Sequence, residues 1–181
     1  TYAIALWGVG NRAVHNTIHR GSHIALNFSG NDLLMEYNEI FDVAGEANDC
    51  GAIYSHFNDW TGRGNEIRNN YFHDIHGMSG FIIKAAGIYL DGGDSGARIA
   101  GNVFRDMDLA VNIHGGRDNT VENNVFLRVE KALRIMDMNG SVQLWQITRS
   151  SFRMKSWQTI WQKVKSRDTA RNGILMGKKY S

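Results

Sequence analysis

Short apolar segments recur along the chain and are separated by turns rich in Gly, Asn and Asp. Alternation of apolar and polar residues with a period of two, as in Asn112-Ile-His114, predicts that these segments are β-strands. Intervals of 22, 32, 32 and 22 residues separate five asparagines, each of which starts an Asn-x-aliphatic or Asn-x-aromatic triplet: Asn16, Asn38, Asn70, Asn102 and Asn124. A base period of 22 residues with two insertions of 10 therefore explains the pattern.

A repeat of about two dozen residues that consists of strands alone indicates a solenoid. Leucine-rich repeats have a similar length, but their Leu-x-x-Leu-x-Leu spine is missing here. The sequence thus predicts an all-β fold, a single-stranded right-handed parallel β-helix, over residues 1–148. We expect the recurring asparagines to stack on successive coils, where their amides hydrogen-bond along the stack in a structural role. The strand pattern starts without a cap, so we also expect a longer parent protein and possible end-to-end self-association through uncapped strands.

Composition separates a second segment from the repeat. Twenty glycines and no proline suit many tight turns between strands that all need their backbone donors. Residues 1–148 carry a net charge of −6 and residues 149–181 one of +8, for a total of +2. Within this basic C-terminal tail, Trp157, Ile160, Trp161 and Val164 have the spacing of an amphipathic helix. We expect a capping helix; a membrane-surface or nucleic-acid segment, or a partly disordered or non-native terminus, are the alternatives.

Several classes of function are disfavoured. No stretch approaches the ~20 apolar residues of a membrane span, and no signal-peptide pattern opens the chain. The single cysteine, Cys50, excludes an internal disulfide and a multi-cysteine metal site. The histidines lack the short spacing of metal ligands on one helix, so neither a metal nor another cofactor is expected. The repeat is acidic, which argues against a nucleic-acid partner.

The candidate chemistry lies in the two insertions and the coil that follows them. When the strands are aligned, Tyr54, Tyr89 and Ile113 occupy equivalent positions, and Asp91 and His114 follow on adjacent coils. Matched residues of neighbouring coils lie about 5 Å apart, and offset ones about 5–10 Å. This range suits the paired carboxylates of glycoside hydrolysis.

Other residues of these regions could contact a sugar. Flat apolar faces are available on Tyr54, Trp60 and Tyr89, and polar groups can bind hydroxyl or carboxyl groups. Asp94 and Asp118 also fit ordinary turns, in which aspartate is common, and a structural role stays open for Asp49 and Asp91 as well. The predicted polar sugar-binding residues are His56, Asp59, Arg63, Asp94, His114 and Arg117.

A set of segments resembles bacterial carbohydrate-active proteins of the pectate-lyase-like superfamily, near its glycoside hydrolase members. The resemblance covers roughly residues 11–140 and implies a secreted or periplasmic enzyme that acts on plant or microbial polysaccharide. It implies that Asp49 and Asp91 are the catalytic pair. The segments that carry it are Gly30-Asn-Asp32, Glu36-Tyr-Asn-Glu-Ile40, Asn48-Asp-Cys-Gly-Ala-Ile-Tyr54, Asp59-Trp-Thr61, Arg63-Gly-Asn65, Tyr71-Phe-His-Asp-Ile75, Gly87-Ile-Tyr-Leu-Asp91, Gly101-Asn-Val-Phe104 and His114-Gly-Gly-Arg-Asp-Asn119.

Three functions remain open on the sequence. Glycoside hydrolysis by Asp49 and Asp91 is preferred, with one carboxyl group as proton donor and the other as nucleophile or base. A polysaccharide lyase comes second, because it needs a calcium cluster or a Lys/Arg base, and the candidate Lys84 lies in an apolar run. A non-catalytic module that binds glycan or serves as a scaffold is the third. The sequence identifies neither the sugar nor the linkage.

Overall fold

The computed structural model describes residues 1–56, 61–80 and 84–136, together with the backbone of residues 142–145. All of these belong to one compact unit, residues 1–150. The described part consists of strands and turns without any helix. Its strands are β1 (Tyr2–Val9), β2 (Arg12–Val14), β3 (Thr17–Gly21), β4 (Ile24–Asn31), β5 (Leu34–Glu36), β6 (Glu39–Val43), β7 (Gly51–Ser55), β8 (Glu66–Arg68), β9 (Tyr71–Ile75), β10 (Ala86–Leu90), β11 (Arg98–Ala100), β12 (Val103–His114), β13 (Thr120–Glu122), β14 (Val125–Met136) and β15 (Val142–Trp145).

Successive coils pair in parallel, as the repeat predicts. The smaller sheet runs in the order β13-β11-β8-β5-β2, and the larger in the order β1-β4-β7-β10-β12-β9-β6-β3, with β14 next to β12. Ile99 pairs with Ile67 on one side and with Val121 on the other, 32 and 22 residues away along the chain. The observed register therefore has the two periods read from the sequence, and the predicted all-β parallel β-helix is confirmed.

Strand β12 crosses a corner of the coil. Its first half pairs with β9 and its second half with β10, so one strand belongs to two walls of the solenoid. Strand β15 pairs with β14 in the antiparallel sense. The predicted capping helix and the division of the chain at residue 148 concern residues outside those described, and both stay predictions.

The core consists of inward-facing apolar residues stacked from coil to coil. The rings of Phe72, Phe104 and Phe126 lie nearly parallel, with centroids 4.9 and 5.3 Å apart. Ile67 and Ile99 are fully buried in a second stack. Each inward residue packs on its counterpart one coil away, because the register repeats every coil. Burial of this kind is the main stabilising contribution in such a fold.

The predicted asparagine ladder is present in full. The side-chain amide of Asn38 donates to Oδ1 of Asn70 at 3.0 Å, and Asn70 and Asn102 repeat the same bond to the next coil. Each amide also donates to a strand carbonyl, that of Ala13 in the case of Asn38. The backbone N–H of Asn38 in turn donates to Asn70 Oδ1 at 2.9 Å. The ladder thereby satisfies backbone groups that the tight turn would leave unpaired.

Two glycines with similar backbone angles provide a test of close coil packing. Gly116 (φ +76°) and Gly10 (φ +71°) both lie in the left-handed region, where alanine is strained by about 1 kcal/mol. A Cβ at Gly116 would overlap the carbonyl oxygen of Asp94, whereas nothing lies within 4 Å of a Cβ at Gly10. We expect Gly116→Ala to lower the free energy of unfolding by roughly 2–3 kcal/mol and Gly10→Ala by about 1 kcal/mol in urea titrations. Equal losses would contradict the role of the contact.

Candidate functional site

The outward face of β7, β10 and β12 carries the polar residues singled out in the sequence. Tyr54 pairs with Tyr89, as the sequence alignment predicts. The equivalence of Ile113 is wrong: Asn112 pairs with Tyr89, and Ile113 pairs with Leu90. An offset of one residue moves a side chain to the other face of a strand, so Ile113 packs in the core.

This register places Asp91 between two histidines. Leu90 pairs with Ser55 on one side and with Ile113 on the other, so the next residue of each strand is His56, Asp91 and His114. The backbone N–H of Asp91 donates to Ser55 O at 3.0 Å, which continues the pairing by one residue. The three side chains therefore form one row across three coils, which we call the Asp91 row.

Asp91 is held by several donors. The hydroxyl of Tyr54 donates to Oδ2 at 2.7 Å, and Nδ1 of His114 donates to Oδ1 at 2.8 Å. The backbone N–H of Gly92 donates to Oδ1 at 2.8 Å, and Nε2 of His56 lies 4.0 Å from Oδ2. Only 12% of the Asp91 side chain is exposed, compared with 30% for His114 and 33% for His56. Hydrogen bonds thus fix the orientation of the largely buried carboxylate, while both imidazoles reach the surface.

These contacts set the ionisation of Asp91. Burial acts to raise its pKa, but the hydrogen bonds from Tyr54, His114 and Gly92 and the charge of His56 outweigh burial. The net pKa lies below the ordinary 3.8, so Asp91 is ionised at neutral pH. Because His114 donates from Nδ1, its other ring nitrogen, Nε2, can accept a proton.

The second predicted carboxylate, Asp49, lies just before β7 and is exposed. Its Oδ1 accepts a hydrogen bond from the Tyr89 hydroxyl at 3.3 Å. The rings of Tyr54 and Tyr89 are in edge-to-face contact with centroids 5.4 Å apart. Burial, aided by the aspartates, raises the pKa of both phenols. The tyrosine pair consequently stays neutral and connects the two carboxylates through its hydroxyl donors.

Other predicted sugar-binding residues lie at the turn that follows the row. Asp94 is fully buried and accepts a hydrogen bond from the Ser55 hydroxyl. Arg63 is exposed and pairs with Asp118 at 3.5 Å. Arg117 is exposed near the same turn, and its backbone N–H donates to the Ser95 hydroxyl. The predicted residues Asp59 and Trp60 lie outside the described part of the chain.

Sequence reasoning missed a buried cation on the same face. Arg134 is only 7% exposed, and its Nε donates to Asn112 Oδ1 at 3.0 Å. Burial lowers its pKa, while the negative charge of Asp49 acts to raise it. The sequence contained the signal, because Arg134 follows Asn112 by one 22-residue period. The one-residue error at Ile113 concealed it.

In the part of the chain that the structure describes, no group of three His, Cys, Asp or Glu side chains is arranged to hold a metal ion. Nor does that part of the chain contain a helix of sufficient length and hydrophobicity to cross a membrane.

The bond from Tyr54 to Asp91 makes a testable contribution to stability. Asp91 has a depressed pKa in the folded state, so its contribution is present above the unfolded pKa and is lost as pH falls through the folded pKa. Tyr54→Phe removes one donor and raises the folded pKa toward the unfolded value. We expect the variant to be about 1–2 kcal/mol less stable at neutral pH, with a gap that narrows below roughly pH 4.

Urea unfolding at neutral and acidic pH measures this gap. Tyr2→Phe is the matched control, because Tyr2 is an exposed tyrosine whose ring contacts Trp7. A gap for Tyr54→Phe that is constant with pH would show that the lost stability is unrelated to the charge of Asp91.

Comparison with protein-family models matches residues 2–144 to the right-handed β-helix region. The match runs from the first strand into the last and includes the whole Asp91 row. Neither the curated proteins nor the solved structures contain a match to this chain. The parallel coils, the asparagine ladder and this match together show that the chain belongs to the right-handed β-helix family.

Proposed function

We propose that the chain is a carbohydrate-active enzyme that hydrolyses glycosidic bonds of a polysaccharide, with Asp91 and Asp49 as its carboxylate pair. The observation that carries the proposal is the environment of Asp91. Three hydrogen bonds keep this buried carboxylate ionised, and two partly exposed imidazoles lie beside it. A turn needs no such arrangement, since burying a charge costs free energy. Perturbed ionisable groups of this kind concentrate at functional sites. The right-handed β-helix family is also common among carbohydrate-active enzymes.

The ionisation of Asp91 suggests how the roles divide. Hydrolysis of a glycoside needs one group that protonates the leaving oxygen and another that acts as nucleophile or activates water. Asp91 is already ionised at neutral pH and suits the second role. The remaining role, proton donor, then falls to Asp49, which is exposed and so accessible to a substrate. Tyr54 and Tyr89 lie between them and fix both carboxyl groups.

One contact favours a polysaccharide lyase as the second candidate. Asp91 orients His114 so that Nε2 can accept a proton, which a lyase would take from the carbon next to a uronate carboxyl group. The lysine considered from the sequence is less suitable. Lys84 forms an ion pair with Asp108 at 3.3 Å, away from the Asp91 row.

The deciding experiment is a product assay with neutral and uronate-containing polysaccharides. Hydrolysis predicts new reducing ends without a rise in ultraviolet absorbance, whereas a lyase produces an unsaturated end that absorbs. Binding without any product would overturn both enzymatic proposals and leave a glycan-binding module. If the protein neither bound nor cleaved any of these polysaccharides, the carbohydrate proposal itself would be overturned. A secreted or periplasmic location is part of the same proposal, and export in fractionated cells tests it.

A further inference from the structure

We infer that the outward face of β1 is a sugar-binding subsite, in which the Trp7 indole stacks on a glycan that extends from the Asp91 row along the solenoid. This inference rests on the proposed function and specifies it further: the substrate is a polymer that spans several coils, and its distal part is uncharged. Four observations support it, namely the register of Trp7, its fixed ring, its exposure and the chemistry of the intervening surface.

Trp7 lies in line with the proposed catalytic residues. It pairs with Ser29 on the next coil. The pairing of β4 with β7 ends at Asn27 and Tyr54. Extended by two residues, this register sets Ser29 opposite His56. His56 is the first member of the Asp91 row. Three coil steps therefore separate Trp7 from the catalytic carboxylate, or roughly 14 Å. A glycan must therefore extend over several sugar units to reach both Trp7 and the carboxylate.

The indole is held in place although it is exposed. Its Nε1 donates to Asn27 Oδ1 at 3.2 Å, and Asn27 donates in turn to Tyr54 O at 3.2 Å. The ring of Tyr2 contacts it edge-on, with centroids 6.2 Å apart. Trp7 is nevertheless 56% exposed. A large aromatic side chain that is ordered before binding loses little conformational entropy when a ligand stacks on it.

The surface between Trp7 and Asp91 suits hydroxyl groups. It presents the side chains of Asn27, Ser29, Tyr54 and His56, which offer amide, hydroxyl and imidazole groups. No Lys, Arg, Asp or Glu belongs to these two outward rows between Trp7 and the carboxylate, within the described strands. An acidic or basic partner would find no complementary charge there. A neutral stretch of glycan finds an apolar ring at one end and hydrogen-bonding groups along the way.

Chain-length dependence tests the inference. Cello-oligosaccharides, xylo-oligosaccharides and oligogalacturonides of increasing length are titrated against the Asp91→Asn protein, in which we expect cleavage to be too slow to consume the ligand. We expect affinity to rise with length until the glycan spans the three coil steps. Trp7→Ala should weaken the binding of long chains about fivefold to tenfold and leave short chains unaffected. Trp7→Tyr should retain most of the affinity. Met78→Ala, at a residue after β9 that is 43% exposed, is the matched control and should change nothing.

The outcomes separate this inference from the proposed function. If the wild-type protein cleaves glycans, Trp7→Ala should raise KM for long substrates and leave kcat unchanged. Cleavage that is insensitive to Trp7 would overturn the subsite and leave the enzyme proposal intact. Trp7-dependent binding without cleavage would support the subsite and overturn hydrolysis. Failure of every glycan to bind would overturn the subsite. If Trp7→Ala altered the oligomeric state in sedimentation experiments and left glycan binding unchanged, the subsite would be overturned, and the exposed ring would belong to a self-association surface instead.

Discussion

Asp91→Asn is expected to lower kcat/KM for glycan cleavage by roughly a hundredfold to ten-thousandfold, the range for loss of a positioned acid–base group or charge. Asparagine has nearly the same shape but no charge. Its amide NH₂ cannot accept a hydrogen bond, and on Asp91 both carboxylate oxygens accept: Oδ2 from Tyr54, and Oδ1 from His114 and Gly92. The measurement is the initial rate of reducing-end release with saturating and subsaturating substrate.

The control for this variant is Asp118→Asn. Asp118 is an exposed aspartate of the neighbouring turn that pairs only loosely with Arg63, so its loss should leave the rate within about twofold. Urea unfolding must show that both variants are fully folded under the assay conditions. A folded Asp91→Asn protein with the wild-type rate would remove Asp91 from the reaction.

The pH profile provides an independent check on the same residue. Because the pKa of Asp91 is lowered, the acidic limb of kcat/KM should lie below about pH 4 in the wild type. Tyr54→Phe removes a hydrogen bond that lowers this pKa, and the limb should move to higher pH. An acidic limb that does not move would mean that another group controls the rate.

Asn102→Leu is expected to have the largest effect on stability, a loss of roughly 3–5 kcal/mol. Asn102 is fully buried, and its Oδ1 accepts hydrogen bonds at 3.0 Å from both the backbone and the side-chain amide of Asn70. Its own amide donates to Ile67 O and to Asn124 Oδ1. Leucine has a similar volume, so the change leaves partners unsatisfied without opening a large cavity. Urea unfolding at neutral pH measures the loss.

The end of the ladder offers the matched control. Asn16 is only partly buried, and its side-chain amide donates to Asn38 Oδ1 at 2.9 Å. Asn16→Leu should cost about 1 kcal/mol, because water can replace the lost partner at a partly exposed position. Equal losses at Asn16 and Asn102 would show that the ladder contributes through side-chain volume and not through its buried hydrogen bonds.

The fold was predictable because its signal is repeated. Each coil restates the spacing of apolar residues and asparagines, so an insertion of 10 residues between Asn38 and Asn70 leaves the register recognisable. The 22- and 32-residue periods reappear as the hydrogen bonds between ladder amides. A period of this length with strands alone permits few architectures.

The candidate site was predictable only in part. The sequence identified Asp91 and His114 as neighbours, and their side chains are 2.8 Å apart. The sequence alignment does not show their direct opposition, because it sets Ile113 opposite Tyr89, where the structure has Asn112. An alignment error of one residue leaves the predicted fold unchanged. It assigns side chains to the wrong face of the strand, however, because side chains alternate between the two faces. The same error hid Arg134, one coil further on.

The sequence by itself determined the solenoid, its coil length, its asparagine ladder and the region that carries its chemistry. The tertiary structure decided which groups meet: Tyr54 bonds Asp91, Tyr89 bonds Asp49, and Asp94 turns inward to Ser55. Periodicity is a property of the chain and can be read along it. The ionisation of a carboxylate depends on burial and on donors that lie 23 and 37 residues away, and only the stacking of coils brings those donors within hydrogen-bond distance.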